Sequence, residues 1–184
     1  MTANEIRFSP AALELIQKIL KRYPEGKQKS AILPLLHLAQ AEFEGWLSVP
    51  AMDYVASILK IQPVEVYEVA SFYSMYNLKP VGKCVIEVCR TGPCWLMGAE
   101  DIVAYIEKKL NIKAGETTKD GMFTLKTVEC LASCGTAPMM QIGETYHENL
   151  TCEKTDLILE EYRKNTKEHI SHWSKKHIAT NSTN

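Results

Sequence analysis

The sequence has no run of apolar residues near the roughly 20 that a membrane-spanning helix requires. An excess of charge of either sign is also missing. Lys and Arg number 21 against 22 Asp and Glu, a formal net charge of −1, which points neither to nucleic acid nor to an anionic membrane surface. C-x-x-C occurs nowhere, which argues against a thioredoxin-type redox dithiol. G-x-G-x-x-G is absent too, so a Rossmann-type nucleotide turn is not expected. The opening "MTANEIRFSPAALELIQ" lacks the basic flank and unbroken apolar core of a signal peptide, and Glu5 and Glu14 are unlike an acid-poor transit peptide. The expectation is an intracellular protein with reduced thiols, in which six cysteines favour metal or redox chemistry over structural disulfides.

What is present is ordinary for a globular chain: 46% apolar and 23% charged residues over 184 positions, enough for one large domain or two small ones. Residues 9 to 76 read as helical. "SPAALELIQKIL" has Ser9 as N-cap and Pro10 at the first helical position, followed by apolar residues at helical spacing. "SAILPLLHLAQAEFEG" reads as a second helix, with Pro34 in the first turn and Gly45 beyond the end. "SVPAMDYVASILK", capped by Ser48, is a third, and "QPVEVYEVASFYSMY", opened by Pro63, a fourth. Short connections make these a small bundle. Nine of the thirteen residues from Val64 to Tyr76 are apolar or aromatic and surround the helix, which predicts a central helix buried on most sides or one with a side facing another subunit.

"NLKPVGK", residues 77 to 83, reads as a linker, and beyond it the pattern changes. "CVIEV" predicts a strand, "PCWLMGAEDIVAYIEKKL" one helix, and "GMFTLKTVEC" a strand. Leu96, Ala99, Val103, Ile106 and Leu110 recur at three- to four-residue steps, which marks the helix's sheet-packing face. "APMMQIGETYHENL" predicts a hairpin turned at Gly143-Glu144, and "TDLILEEYRK" a last helix. The expected class is α+β: a helical bundle over 1–78, a sheet-containing domain over 79–163 and a loose polar tail over 164–184. His169, His172 and His177 lie in that tail near Trp173 and several lysines; their loose spacing argues against a metal site. His37 reads as a core or interface residue, and Met139 and Met140 as core.

Cys84, Cys89 and Cys94 are spaced five apart. An extended strand advances about 3.3 Å per residue, so Cys84 and Cys89 would stand roughly 16 Å apart, too far for one small metal centre. Cys89 is at the strand's exit, and "RTGP" turns the chain so that Cys94 folds back beside it in the first turn of a helix, where free N–H groups favour a thiolate. Cys84 then reads as a small buried hydrophobe. Cys130 ends the next predicted strand and Cys134 follows beside Gly135, so a second pair can reach the same edge of the sheet. Cys152 stands alone and reads as structural. Four thiolates admit a [2Fe-2S] cluster, a structural zinc site or redox disulfides, and spacing leaves iron–sulfur and zinc both open. With no histidine in either loop, a Rieske-type centre is not expected.

C-x4-C followed by C-x3-C, within "VCRTGPCWLMGAEDI" and "VECLASCGTAPMMQI", resembles the thioredoxin-like [2Fe-2S] ferredoxins, and among them the peripheral [2Fe-2S] subunits of respiratory NADH:quinone oxidoreductases (complex I). "HLAQAEFEGWLS", "VYEVASFYSMYNLKPVGK" and "YHENLT" extend the resemblance over about residues 10 to 162. It implies a thioredoxin-like domain behind the helical one, and one [2Fe-2S] cluster held by Cys89, Cys94, Cys130 and Cys134. Gly92 stands where many relatives have threonine. The resemblance also implies an electron-carrier subunit of an oxidoreductase, with no complete active site of its own. Its cluster would exchange one electron with the flavin of an NADH-oxidising partner subunit, and N–H groups around Gly92 and Gly135 would tune the sulfurs. The helical domain would dock onto that partner and other peripheral-arm subunits, at the cytoplasmic face of a bacterial inner membrane. Two rival expectations are the homologous subunit of a soluble NAD(P)-dependent hydrogenase or formate dehydrogenase, and a zinc-stabilised adaptor without redox function.

Overall fold

The computed structural model describes residues 6–170. These divide into two compact units, with the boundary between Pro80 and Val81.

The first unit is helical: α1 (Pro10–Leu20), α2 (Ile32–Glu42), α3 (Val49–Leu59) and α4 (Pro63–Phe72). The expected start signals operate. Ser9 and Ser48 each accept an N–H three residues on, from Ala12 and Ala51, at 3.3 Å, and a cap of this kind contributes about 1 kcal/mol. A 3-10 turn over Gln28–Ala31 leads into α2, whose Pro34 falls in the first turn. Glu65 reaches back to the Gln62 N–H at 2.9 Å and closes a capping box on α4. Ile16, Leu35, Leu36, Val55 and Val66 are fully buried at the centre. His37 is buried too, its ring 5.0 Å from that of Tyr76.

One expectation needs correction here. The apolar run 64–76 is not a single buried helix. α4 ends at Phe72, Tyr73 is extended, and a turn brings Tyr76 back into the core. Within α4 only Val66 and Ala70 are buried, whereas Val64 is 55% and Phe72 79% exposed. The composition of the run hides an inward stripe of two residues and an outward apolar face.

The second unit is built on a four-stranded sheet of order β2-β1-β3-β4, from β1 (Cys84–Cys89), β2 (Phe123–Val128), β3 (Met140–Ile142) and β4 (Thr145–His147). β1 runs parallel to β2 and antiparallel to β3, and β3 pairs antiparallel with β4. All six residues of β1 are buried, as suits a central strand. Alternation puts Cys84, Ile86 and Val88 on the face covered by the helices, where they share a core with Ile106 and Leu159. Cys89, of opposite parity, belongs to a separate small cluster. The hairpin turns at Gly143, whose φ is +62°, as expected.

The helix predicted from Pro93 onward is interrupted. A four-residue turn of helix, α5 (Pro93–Leu96), is followed by Gly98 at φ +87° and then by α6 (Ala99–Leu110). A left-handed glycine cannot continue an α-helix, so the break is local and steric. Leu96, on the near side of that break, is 74% exposed and leaves the sheet-packing face to Val103 and Ile106, while Ala99 joins the small cluster of Cys89. β2 stops at Val128, two residues short of Cys130. α7 (Cys152–Asn165) begins earlier than predicted, capped by Thr151, so Cys152 is its first residue. Beyond α7, the Ile170 N–H donates to the Lys83 carbonyl at 2.7 Å. His172, Trp173, Lys175, Lys176 and His177 lie outside the described residues. The two units together are α+β, as expected. Among the described residues no helix is long and apolar enough to cross a membrane.

Candidate metal centre

Parallel pairing of β1 with β2 sets Cys89 opposite Val128, so both strands leave the sheet at the same end. Each exit leads into a cysteine loop. In the first, the Arg90 N–H donates to the Val128 carbonyl at 3.1 Å and the Cys89 N–H to the Met139 carbonyl at 3.2 Å, which binds the exit of β1 to both neighbours. Gly92 then turns at φ +35°, and the Cys94 N–H closes onto the Thr91 carbonyl at 3.0 Å. Cys89 and Cys94 are both 2% exposed and share an apolar cluster with Ala99, Ala137, Met139 and Leu131. The Ala137–Pro138 peptide bond beside them is cis.

Cys130 and Cys134, by contrast, are exposed. Their loop passes through Ala132 at φ +62° into a 3-10 turn over Cys134–Thr136. Side chains tie it down from three sides. Thr91 Oγ1 donates to Glu129 at 3.0 Å, the Tyr146 hydroxyl to the Leu131 carbonyl at 2.7 Å, and Thr136 Oγ1 to Glu148 at 2.6 Å.

The sulfurs sit among backbone donors. Burial pushes the Cys89 thiol upward, but N–H groups of Thr91 and Leu131, together with the Cys94 thiol, outweigh it and leave the group below its ordinary value. Leu131 lies between Cys130 and Cys134 and packs against the cluster that holds Cys89 and Cys94, which brings the two loops together. Cys94 is pushed up to about 11, first by burial and then by the Cys89 sulfur, while the Met139 N–H opposes the rise. The helix start at Cys94 thus does not leave the free thiol lowered, because burial and the neighbouring sulfur prevail. Cys134 is raised by Cys130 first and also by Cys89, and Cys130 accepts the Ala132 N–H at 3.3 Å.

Cys94 and Cys134 are thus shifted first by burial or by the other thiol of their own loop, and more weakly by the opposite loop: Cys134 acts on Cys94 and Cys89 on Cys134. Among the described residues no three His, Cys, Asp or Glu side chains converge on a site for a single metal ion. A two-iron group takes two thiolates at each iron. Two plus two is the arrangement a [2Fe-2S] group fits. Cys84 lies apart: it is fully buried in the helix-covered core, and burial raises its thiol. Cys152 is half-buried at the start of α7. Met139 and Met140 are both fully buried.

The sequence points to sulfur donors around Gly92 and Gly135, and the N–H groups of Thr91 and Cys134 beside them do act on the Cys89 and Cys134 sulfurs; Leu131, Met139 and Ala132 are donors it does not mark. Any residue supplies an N–H, so residue type carries no signal; only position relative to each cysteine does. Trp95, Leu96 and Met97, which follow Cys94 directly, form an exposed apolar step that no motif marks.

A small mixed sheet, parallel only between β1 and β2, with two cysteine loops leaving one end, is a domain whose donor set suits a metal centre. The sequence profile of the thioredoxin-like [2Fe-2S] ferredoxins matches residues 16–163, and the chain belongs to that family. The family's cofactor is a [2Fe-2S] cluster. The E subunit of the NADH-quinone oxidoreductase of Rickettsia felis is 51% identical over 160 residues, 87% of this chain and 96% of that one. The mitochondrial NADH dehydrogenase [ubiquinone] flavoprotein 2 of Dictyostelium discoideum is 44% identical, over 86% of this chain and 64% of its own length. Among solved structures, an NAD+-reducing [NiFe]-hydrogenase in the air-oxidised state shares the fold with a TM-score of 0.64 at 19% identity. The match spans 73% of this chain and only 23% of that one.

Proposed function

We propose that Cys89, Cys94, Cys130 and Cys134 hold one [2Fe-2S] cluster and that the chain is the electron-carrier subunit of an NADH:quinone oxidoreductase. The observation that carries this reading is geometric: parallel β1 and β2 send both cysteine loops out of one end of the sheet, where Thr91 donates to Glu129 and Leu131 packs against Cys89 and Cys94. Bound there, the cluster supplies reversible one-electron transfer. The chain's own residues hold it, shield one side through Met139, Ala137 and Leu131, and direct N–H donors at the sulfurs, which favours the more negative, reduced charge state. The electron partner is the flavin of an NADH-oxidising subunit; this chain contributes no nucleotide fingerprint and completes no active site of its own.

Docking falls to the helical domain, residues 1–78, ahead of the cluster domain at 79–163 and the tail at 164–184. Val64, Phe72 and Tyr73 supply the exposed apolar face that suits a partner subunit. In such an assembly the chain is a peripheral subunit on the cytoplasmic face of a bacterial membrane. Relatives at 51% and 44% identity support this assembly over a soluble hydrogenase or formate dehydrogenase, because the hydrogenase likeness at 19% identity concerns the fold alone.

Anaerobic purification of the full chain tests the reading. Two irons and two sulfides per chain, with an EPR signal after dithionite, are expected; a colourless protein containing one zinc overturns it. Co-expression with the flavin-bearing subunit tests docking, and Phe72→Asp is expected to abolish capture while leaving the EPR signal unchanged.

A further inference from the structure

The second cysteine loop is tied from the hairpin side by a carboxylate. Glu148 follows β4, and its Oε1 accepts from Thr136 Oγ1 at 2.6 Å and also from Ser133 Oγ. The two hydroxyl oxygens are 2.8 Å from each other. Three oxygens therefore close a ring across the short stretch that contains Cys134 and Gly135. The main chain repeats the tie, since the Asn149 N–H donates to the Thr136 carbonyl at 2.7 Å. On the other flank, Lys154 Nζ donates to the Glu148 carbonyl and secures the residue to the first turn of α7.

The loop needs such support. Cys130, Ala132, Cys134 and Gly135 are exposed, and Ala132 holds a left-handed conformation that costs a non-glycine residue about 1 kcal/mol. Leu131 anchors the first half of the loop in the apolar cluster, where Thr91 and Tyr146 also act. The second half, bearing Cys134, is where Glu148 takes hold.

We infer that Glu148 is a positioning residue for the metal centre: acting through the Ser133 and Thr136 hydroxyls, its carboxylate fixes where the Cys134 sulfur is presented. The inference rests on Cys134 being a cluster ligand. Without the clamp, the second pair of thiols spreads over several positions while the first pair, packed in the core, stays in place. The centre then becomes heterogeneous and loses iron more readily, although every ligand remains.

The test uses the anaerobically purified full chain with its iron, comparing E148A, E148Q, the double variant S133A/T136A and C134S. Two properties are read: the EPR line shape after dithionite, and the rate of iron release to a chelator. E148A is expected to broaden or shift the signal and to release iron about tenfold faster, the scale of losing one or two hydrogen bonds. E148Q keeps an oxygen that both hydroxyls can reach and is expected to restore both properties. S133A/T136A is expected to reproduce E148A, and adding E148A to it to change little more, as for residues acting as one unit. Wild-type line shape and release rate in E148A, with the centre lost in C134S, overturn the clamp and leave the ligand assignment standing. A wild-type spectrum in C134S overturns the assignment and the clamp with it. Should E148A fail to fold, S133A/T136A decides, and wild-type behaviour there overturns the inference.

Discussion

The first cysteine loop leaves a strand buried along its whole length, and its two thiols are 2% exposed. The second leaves β2 where burial is already giving way, and its two thiols are exposed. The first is held by main-chain bonds to both neighbouring strands and by apolar packing. The second is held by hydroxyls and carboxylates reaching in from Thr91, Tyr146 and Glu148. One pair of donors is thus positioned by the core, which sequence changes disturb through volume, and the other by polar ties, which they disturb one hydrogen bond at a time.

The largest effect that can break this contrast is removal of a donor. Cys94→Ser is expected to abolish the cluster, seen as loss of the visible absorbance and of the reduced EPR signal, whereas Cys84→Ala leaves both nearly intact. A cluster lost from the Cys84 variant instead would show that burial alone does not separate ligand from packing residue. Next comes the core that supports the first loop. Ile86→Ala, in mid-β1 and fully buried, is expected to cost about 3 kcal/mol in urea unfolding. Thr91→Val cuts the tie between the loops and is expected to cost only about 0.5–1 kcal/mol, with a larger effect on the second loop's amide exchange than on the first's.

The smallest effect comes from a group remote from both loops and serves as a reference. The Thr118 hydroxyl, then the Met122 N–H and Arg163, hold Asp120 down at about 2, against an ordinary 3.8. A carboxylate depressed on folding contributes its stability above its unfolded value and loses it as pH falls toward its folded one. Asp120→Asn is therefore expected to flatten the stability profile between about pH 4 and 2, measured by thermal unfolding, and to leave the cluster's spectrum at neutral pH unchanged.

Much of the architecture is readable from local chemistry. Ser9, Ser48 and the prolines beside them mark helix starts because a cap is decided within four residues. Gly143 marks the hairpin for the same reason. The pairing of cysteines by loop also follows from spacing and strand geometry. What escapes depends on residues brought together from afar or on a single torsion. Apolar periodicity from Pro93 to Leu110 runs across Gly98 without sign of the break, since a left-handed glycine leaves the pattern on either side intact. The outward face of α4 is hidden because composition records how apolar a helix is and not which side finds a neighbour. Glu148 meets Ser133 only because a hairpin folds between them.

Parallel pairing of β1 with β2 places the crossover's return, residues 111–122, at the rim opposite the cysteines. An insertion or deletion around Gly115 or Gly121 would therefore leave the spacing of the sulfurs unaltered. The sheet acts as a spacer that insulates the crossover's return from an end where a single added residue would be felt.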